Sequence, residues 1–388
     1  MGAGAFGCVF RPALRCASQK TPTRGFVTKL GRAHHIEEEK ATIDTIGVIL
    51  RDIPHYENYF VIDDITVCQP APLQESDMQN VEQICHNFKG VNINEQLPNL
   101  RALNMPDAGQ DLFDYFSALD GIFDEQVFLK VNNSLMRLVE HGIMPMSIPG
   151  IIHSDVKLEN MVIDTSTFNI RLIDWGNAKT TIPNMLRPSL TPFVFNQPPG
   201  SVFLHTDINE MLAGVRAQQL PEHVTLENRA VVSKNLAIGL RQLVPEADTM
   251  FMDIIIKFQF GTLLHPTGSN MRHDMIDDHL ASILYKYYDF NDDLGEAQFN
   301  QQVFINETYK QNCDLYGFVV SYVLMFATMT SFEFTDNFDA ILRSGIINPF
   351  IYRNDYASKP MNRKVLLDMM KELSACVSRR CKKRKVVL

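Results

Sequence analysis

The sequence is poor in several features that would fix its class at once. It has a single tryptophan, Trp175, and seven scattered cysteines: Cys8, Cys16, Cys68, Cys85, Cys313, Cys376 and Cys381. Their number is odd and no C-x-x-C pair occurs, so neither a disulfide framework nor a zinc site is expected, and a reducing compartment fits. No apolar run reaches the ~20 residues of a membrane span. The apolar stretch Gly317–Met329 is too short for one and predicts a buried helix. A charged-then-apolar leader is missing at the start, and Phe6 stands where a myristoylation pattern needs Ser or Thr. No internal repeat or low-complexity block is visible. Positive charge is in deficit, with a formal net charge of −9, which argues against nonspecific nucleic-acid binding as the main task.

What is present points to a folded protein. Hydrophobic residues make up 45% and charged residues 21% of 388, enough for a sizeable core and too little charge for wholesale disorder. The length suggests two lobes, or one domain with a large insertion. Against that acidic balance, Arg379, Arg380, Lys382, Lys383, Arg384 and Lys385 cluster in the segment 379–385. A solvated, frayed tail is the plain reading; a nuclear-import signal, an acidic-partner patch or a nucleic-acid contact are the sharper ones.

Residues 1–30 alternate and carry glycines, which suits a hairpin with strands at Phe6–Phe10 and Gly25–Leu30. Over 36–51, Glu39, Ile43, Ile46 and Leu50 share one helical face. Tyr59–Thr66 and Asn99–Met105 predict further strands, and 111–141 is mostly helical in pattern. The change after Pro106–Gly109 marks a candidate lobe boundary. A long, mainly helical region runs from Ser201 to Asn312, followed by helical stretches at 314–329 and 361–377.

The chemistry concentrates in His153-Ser154-Asp155-Val156-Lys157-Leu158-Glu159-Asn160, a polar loop between apolar strand ends, and in Asp174-Trp175-Gly176. Phosphoryl transfer to a hydroxyl needs a carboxylate that orients the hydroxyl and takes its proton, which Asp155 offers. Lys157 offers a cation for the γ-phosphate, and Asn160 a carbonyl oxygen suited to Mg²⁺. A hairpin between them would return Asp174 as a second, charged metal ligand. At the amino end, Gly2, Gly4 and Gly7 lie in a strand-turn-strand context where backbone N–H groups can face phosphate oxygens, with Val9 just beyond. Lys29 ends an apolar strand, as an α/β-phosphate ligand would, and Glu39 on the next helix is placed to pair with it; the neighbouring Glu38 leaves that choice open.

These elements resemble, in type and order, those of eukaryotic-type protein kinases: a G-x-G-x-x-G-x-V loop, a V-A-I-K-like lysine, H-R-D-x-K-x-x-N and D-F-G. The resemblance implies an α+β, bilobal protein-kinase-like fold, with a β-rich N-lobe over 1–105 and a helical C-lobe over 106–388 that contains an insertion at 201–312. It implies ATP and Mg²⁺ as cofactors and a protein substrate phosphorylated on serine or threonine, since Lys157 follows Asp155 by two residues. Asp155, Lys157 and Asn160 would be catalytic, and Asn160 and Asp174 would bind metal. Gly2, Gly4, Gly7, Val9, Lys29, Glu39, Met105 and Asp111 would bind the nucleotide. Within the hinge-like run Leu103–Leu112, Asn104 would be the gatekeeper and Asp111 the ribose contact. Asp314 would brace the catalytic loop, although it also suits a helix cap. The runs Gly7-Cys8-Val9-Phe10-Arg11-Pro12 and Ile53-Pro54-His55-Tyr56, with the insertion before Asp314, are also similar to kinase-like proteins of large DNA viruses, which implies an intracellular setting: host cytoplasm, virus factory, virion or, through the basic tail, the nucleus.

The sequence departs from that pattern in places. Ser154 replaces the arginine that grips a phosphorylated activation loop, so Thr180, Thr181, Ser189 and Thr191 have no obvious receiver and constitutive activity is expected. Trp175 replaces phenylalanine. The A-P-E motif is missing, and Asn196-Gln197-Pro198-Pro199-Gly200 stands in its place. These departures motivate an alternative, a pseudokinase or binding scaffold that binds nucleotide with little turnover. A third option is a kinase acting on a small molecule or lipid.

Overall fold

The structure is a computed structural model. It describes residues 2–4, 7–19, 21, 24–79, 81, 85, 88–119, 124–181, 194–219, 224–244, 250–290, 298–328, 336–353 and 355–387; for 2–4, 218–219, 328 and 380–387 only the backbone is described. Ala5, Phe6, Ser189 and Thr191 therefore lie outside the described residues, as do the side chains of Arg380, Lys382, Lys383, Arg384 and Lys385.

The chain is of mixed α+β class and divides into two compact units, Met1–Gln110 with Val162–Ala178, and Asp111–Met161 with Lys179–Leu388. The expected boundary at 105/106 thus moves to 110/111, and the hairpin carrying Asp174 belongs with the first unit. Its packing explains why. Val61, Ala108 and Val162 form one buried cluster with Ile173 against it, and Leu172 exchanges backbone hydrogen bonds with Tyr59 and Val61 at 2.8 and 3.0 Å.

The first unit is built on an antiparallel sheet of β1 (Gly2–Gly4), β2 (Gly7–Phe10), β3 (Phe26–Arg32), β4 (Thr66–Cys68) and β5 (Leu100–Pro106), in the order β1-β2-β3-β5-β4. The expected pairing of the two amino-terminal strands is present as β2 against β3, with Cys8 opposite Leu30, and β1 adds to β2 with Gly4 opposite Gly7. Gly7 has a packing reason to be glycine: a Cβ there would sit 2.4 Å from the Leu30 carbonyl oxygen. The expected strand at Tyr59–Thr66 is largely replaced. Asp64 takes a left-handed conformation (φ 56°) that interrupts the extended run, Asp63 pairs with Arg51, and β4 starts only at Thr66. Helix α1 (Ala33–Leu50) buries Ile36, Glu39, Ile43, Ile46 and Leu50, the stripe expected from the spacing. The chain leaves this unit through the two-residue strand β6 (Gln110–Asp111).

One sheet face is backed by a core of Cys8, Phe10, Leu14, Leu30, Leu73, Val81, Cys85, Phe88, Ile93, Leu97 and Leu100. Disulfides run through this side, contrary to the expectation from the sequence. Cys8 is joined to Cys85 and Cys16 to Cys68, with Cα–Cα distances of 5.8 and 5.9 Å. The partners are 77 and 52 residues apart, a proximity that only the tertiary fold creates.

The second unit is mainly helical. Helices α2 (Leu112–Ala118) and α3 (Glu125–Leu138) start at aspartate caps: Asp111 accepts from the Asp114 N–H, and Asp124 from those of Gln126 and Val127, satisfying donors left open by the first turn. Strand β7 (Ile151–Ile152) leads into the loop bearing Asp155. Strands β8 (Met161–Ile163) and β9 (Ile170–Leu172) follow and are neighbours; from Val162 on they belong to the first unit. Strand β10 (Lys179–Thr180) pairs antiparallel with β7. The region 201–312 contributes α4 (Ile208–Gln219), α5 (Arg229–Leu243), α6 (Met250–Phe260) and α7 (Met271–Tyr287). The half-buried Arg241 pairs with the buried Asp277 at 2.7 Å and ties α5 to α7.

At the centre lies α8 (Lys310–Thr328), with Phe318, Val319, Val320, Tyr322, Val323, Met325 and Phe326 all buried. A helix apolar on all sides must sit inside a core, and each such side chain contributes about 1.5–3 kcal/mol when buried. Asn132 is satisfied in that core by Tyr322, Met370 and Ser374. Among the described residues no helix is long and apolar enough to cross a membrane. The last helix, α9 (Arg363–Val387), runs through the segment expected to fray.

Candidate functional site

The first unit assembles a buried charge cluster. Lys29, on β3, places Nζ 2.8 Å from Glu39 Oε2 and 2.9 Å from Asp174 Oδ1. The open choice between Glu38 and Glu39 is thereby settled for Glu39, which is buried on α1. Burial opposes the Lys29 ammonium, but the Asp174 and Glu39 carboxylates outweigh it and hold its pKa above the usual lysine value. Burial pushes Glu39 up to about 7, with Asp174 adding to the shift and Lys29 opposing it. Both shifts have one origin: two carboxylates face one ammonium, and the more buried of them keeps its proton more readily. Glu39 Oε1 is buried without a hydrogen-bond partner, as suits a group that gives up its charge.

Asp174 lies in left-handed conformation (φ 64°, ψ 72°) immediately before a short 3-10 turn, and its side chain is about one-third exposed. A non-glycine residue there is uncommon and clusters at functional sites. Trp175, next along, is buried; its Nε1 donates to the Val61 carbonyl at 3.2 Å and its ring meets Phe60 edge-on at 5.5 Å. The turn it anchors packs against α1, so the Trp175 ring helps hold Asp174 near Glu39.

Strand register sorts the other nucleotide-binding candidates. Val9, Lys29 and Leu103 are opposite one another across β2, β3 and β5, and Val27 is opposite Met105. Because side chains alternate along a strand, Val9 and Met105 share the face of Lys29. Asn104 does not. It pairs with Thr28 on the other face, accepts a hydrogen bond from the Thr28 hydroxyl, and donates to Cys16 Sγ at 3.2 Å. The gatekeeper role expected for Asn104 is therefore corrected. Gly2 and Gly4 lie in β1.

The second unit assembles the loop. Asp155 Oδ2 accepts from Lys157 Nζ at 3.1 Å and from Asn160 Nδ2 at 3.0 Å, and Asn160 also donates to the Asp155 carbonyl at 2.8 Å. Asp155 Oδ1 accepts from Asn196 Nδ2 at 2.6 Å. Asp314 Oδ2 and Oδ1 accept from the backbone N–H groups of His153 and Ser154, both at 2.8 Å. Asp314 is fully inside α8, which begins at Lys310, so it braces the loop and does not cap the helix. Burial raises its pKa, while His153 and the hydrogen bonds counteract the rise. Ser154 has φ 65°, a strained position that the two Asp314 bonds help to hold. Asp111 is the α2 cap described above, and burial raises its pKa.

No motif surrounds Asn196 in the sequence; its one signal is its place in the run that stands where A-P-E would be. As for metal, no group of three or more His, Cys, Asp or Glu side chains among the described residues could hold an ion. Mg²⁺ asks for less from a protein, one or two oxygen ligands with waters and phosphates completing the shell. The Asp174 carboxylate and the Asn160 carbonyl are donors of that kind. No protein-family model matches the chain.

Proposed function

We propose that this chain is a Mg²⁺- and ATP-dependent protein kinase acting on serine and threonine hydroxyls. The observation that carries the reading is the meeting of Lys29 with Glu39 and Asp174 at 2.8 and 2.9 Å. These three residues are separated by up to 145 positions, and the motif spacing had singled out each of them for phosphate or metal binding. An ammonium fixed between two carboxylates is oriented for phosphate oxygens, and the charge it carries survives burial.

In this reading Lys29 holds the α/β-phosphates, and the Val9, Val27 and Met105 face of the sheet receives the base. Asp174 in the first unit and Asn160 in the second are the oxygen donors that the motif resemblance assigns to Mg²⁺, which when bound would neutralise phosphate charge. Asp155 orients the acceptor hydroxyl and takes its proton, with Lys157 beside it as a cation for the transferred phosphoryl group. The brace from Asp314 keeps the loop backbone still while this happens. The preference for serine and threonine, and the likeness to kinase-like proteins of large DNA viruses, rest on the motif resemblance.

The test is incubation with Mg²⁺ and labelled ATP, alone and with a generic protein substrate. Label is expected in protein and absent in Asp155→Asn. A thermal shift by ATP that needs Mg²⁺ is expected in both. No metal-dependent shift and no transfer would overturn the reading in favour of a binding scaffold, and transfer only to a lipid or small molecule would overturn the protein-substrate part.

A further inference from the structure

We infer that Asn196 is a positioning residue for Asp155, its side-chain amide fixing the plane in which the Asp155 carboxylate meets an acceptor hydroxyl. The inference rests on the reading of Asp155 as the group that takes the hydroxyl proton. A carboxylate held at one oxygen swings easily, because the terminal torsion of aspartate is broad. Asp155 is held at both. Lys157 and Asn160 grip Oδ2 from within its own loop, and Asn196 grips Oδ1 at 2.6 Å from a segment 41 residues further on. A carboxylate oxygen has two acceptor positions, so Oδ1 can keep the Asn196 bond and still receive a hydroxyl proton.

Asn196 is itself held tightly. It is 4% exposed. Its neighbour Gln197 donates to the Ser154 carbonyl at 2.6 Å. Beneath both segments lies Gly317 of α8, where a Cβ would come 2.6 Å from the Asn196 carbonyl oxygen and 2.7 Å from that of Val156. Any side chain at 317 would push the two backbones away from the helix, so one glycine seats both the Asp155 loop and the segment that orients its carboxylate. Asparagine suits the task because its amide supplies a donor and adds no charge beside Lys157 and Asp155.

The test reads the carboxylate directly. Protein carrying ¹³C-carboxyl aspartate is observed by NMR at one fixed pH, with the Asp155 signal identified by its loss in Asp155→Asn. Asn196→Ala removes the bond at Oδ1, and the Asp155 signal is expected to shift and broaden as the carboxylate samples more than one plane. Asn196→Asp keeps the shape but offers no donor and is expected to do the same. In turnover, Asn196→Ala is expected to lower kcat by about 10- to 100-fold with the KM for ATP unchanged. An unchanged Asp155 signal in a folded variant, or a change in KM alone, overturns the inference. A wild-type protein that transfers no phosphate bears on the proposed function, and the Asp155 carboxylate signal still decides the role of Asn196.

Discussion

Two clusters of charge dominate the molecule, one in each unit, and they are stabilised by different means. Around Lys29, charge is held by charge: one ammonium faces two carboxylates, with Glu39 and Lys29 nearly inaccessible to water. Around Asp155, charge is held largely by amides. Asn160 and Asn196 donate to its carboxylate, and the loop carrying it is tied by backbone N–H bonds to Asp314. An ion cluster in low dielectric is strong but sensitive to any change in protonation, whereas amides do not titrate. Under the proposed function, the first arrangement would serve phosphate binding and the second would keep the carboxylate in one orientation.

The largest expected effect tests whether the amide-held carboxylate is the acting group. Asp155→Asn is expected to lower phosphoryl transfer by about 10²- to 10⁴-fold while the far-ultraviolet circular dichroism and melting temperature stay near wild type. Full activity in this variant would move the chemistry elsewhere. Next in size is the stapling of the first unit. Each disulfide closes a long loop, 77 residues for Cys8–Cys85 and 52 for Cys16–Cys68, and such a bond typically adds about 2–4 kcal/mol. Reduction, or Cys16→Ser with Cys68→Ser, is expected to lower the melting of the first unit while protection of α8 amides in hydrogen exchange is kept. Equal loss in both units would show that they unfold as one.

How far the sequence carried depends on what kind of contact is at issue. Lys29, Glu39, Asp155 and Asp174 were legible because fixed chemistry sits at fixed spacing, and the α1 stripe was legible because burial repeats with the helical period. Asn104 was misjudged because its face depends on the pairing of β3 with β5, where a shift of one residue reverses every side chain. The disulfides were invisible because nothing local links Cys8 to Cys85. Asp314 looked like a cap because an apolar run follows it, but the helix extends back to Lys310, and only the fold brings His153 and Ser154 to its carboxylate. Asn196 had no motif to announce it.

Removing that brace sharpens the comparison from the side of the second unit. Asp314→Ala leaves the N–H groups of His153 and Ser154 without their acceptor in a buried loop. The expected cost is about 2–3 kcal/mol, measured by urea unfolding, with the Lys29 cluster unaffected. A cost near zero would mean that water replaces the carboxylate and that the loop does not need it.

The smallest effect separates the two designs by pH. Glu39 is raised from an ordinary 4.5 to about 7, first by burial, so between those values the folded protein binds a proton that the unfolded chain has released. Stability rises with pH only where the unfolded state binds more protons; here the folded state does. The contribution of Glu39 is therefore fully present below about 4.5 and is lost as pH rises through about 7. Glu39→Gln carries a neutral, hydrogen-bonding side chain at every pH and is expected to flatten that part of the profile, read as melting temperature against pH from 4.5 to 8. The flattening should be confined to this window, because the amides around Asp155 contribute no titration of their own. A wild-type profile that is already flat would mean that Lys29 keeps Glu39 ionised throughout, and that the cluster is a plain ion pair with Asp174 as a bystander.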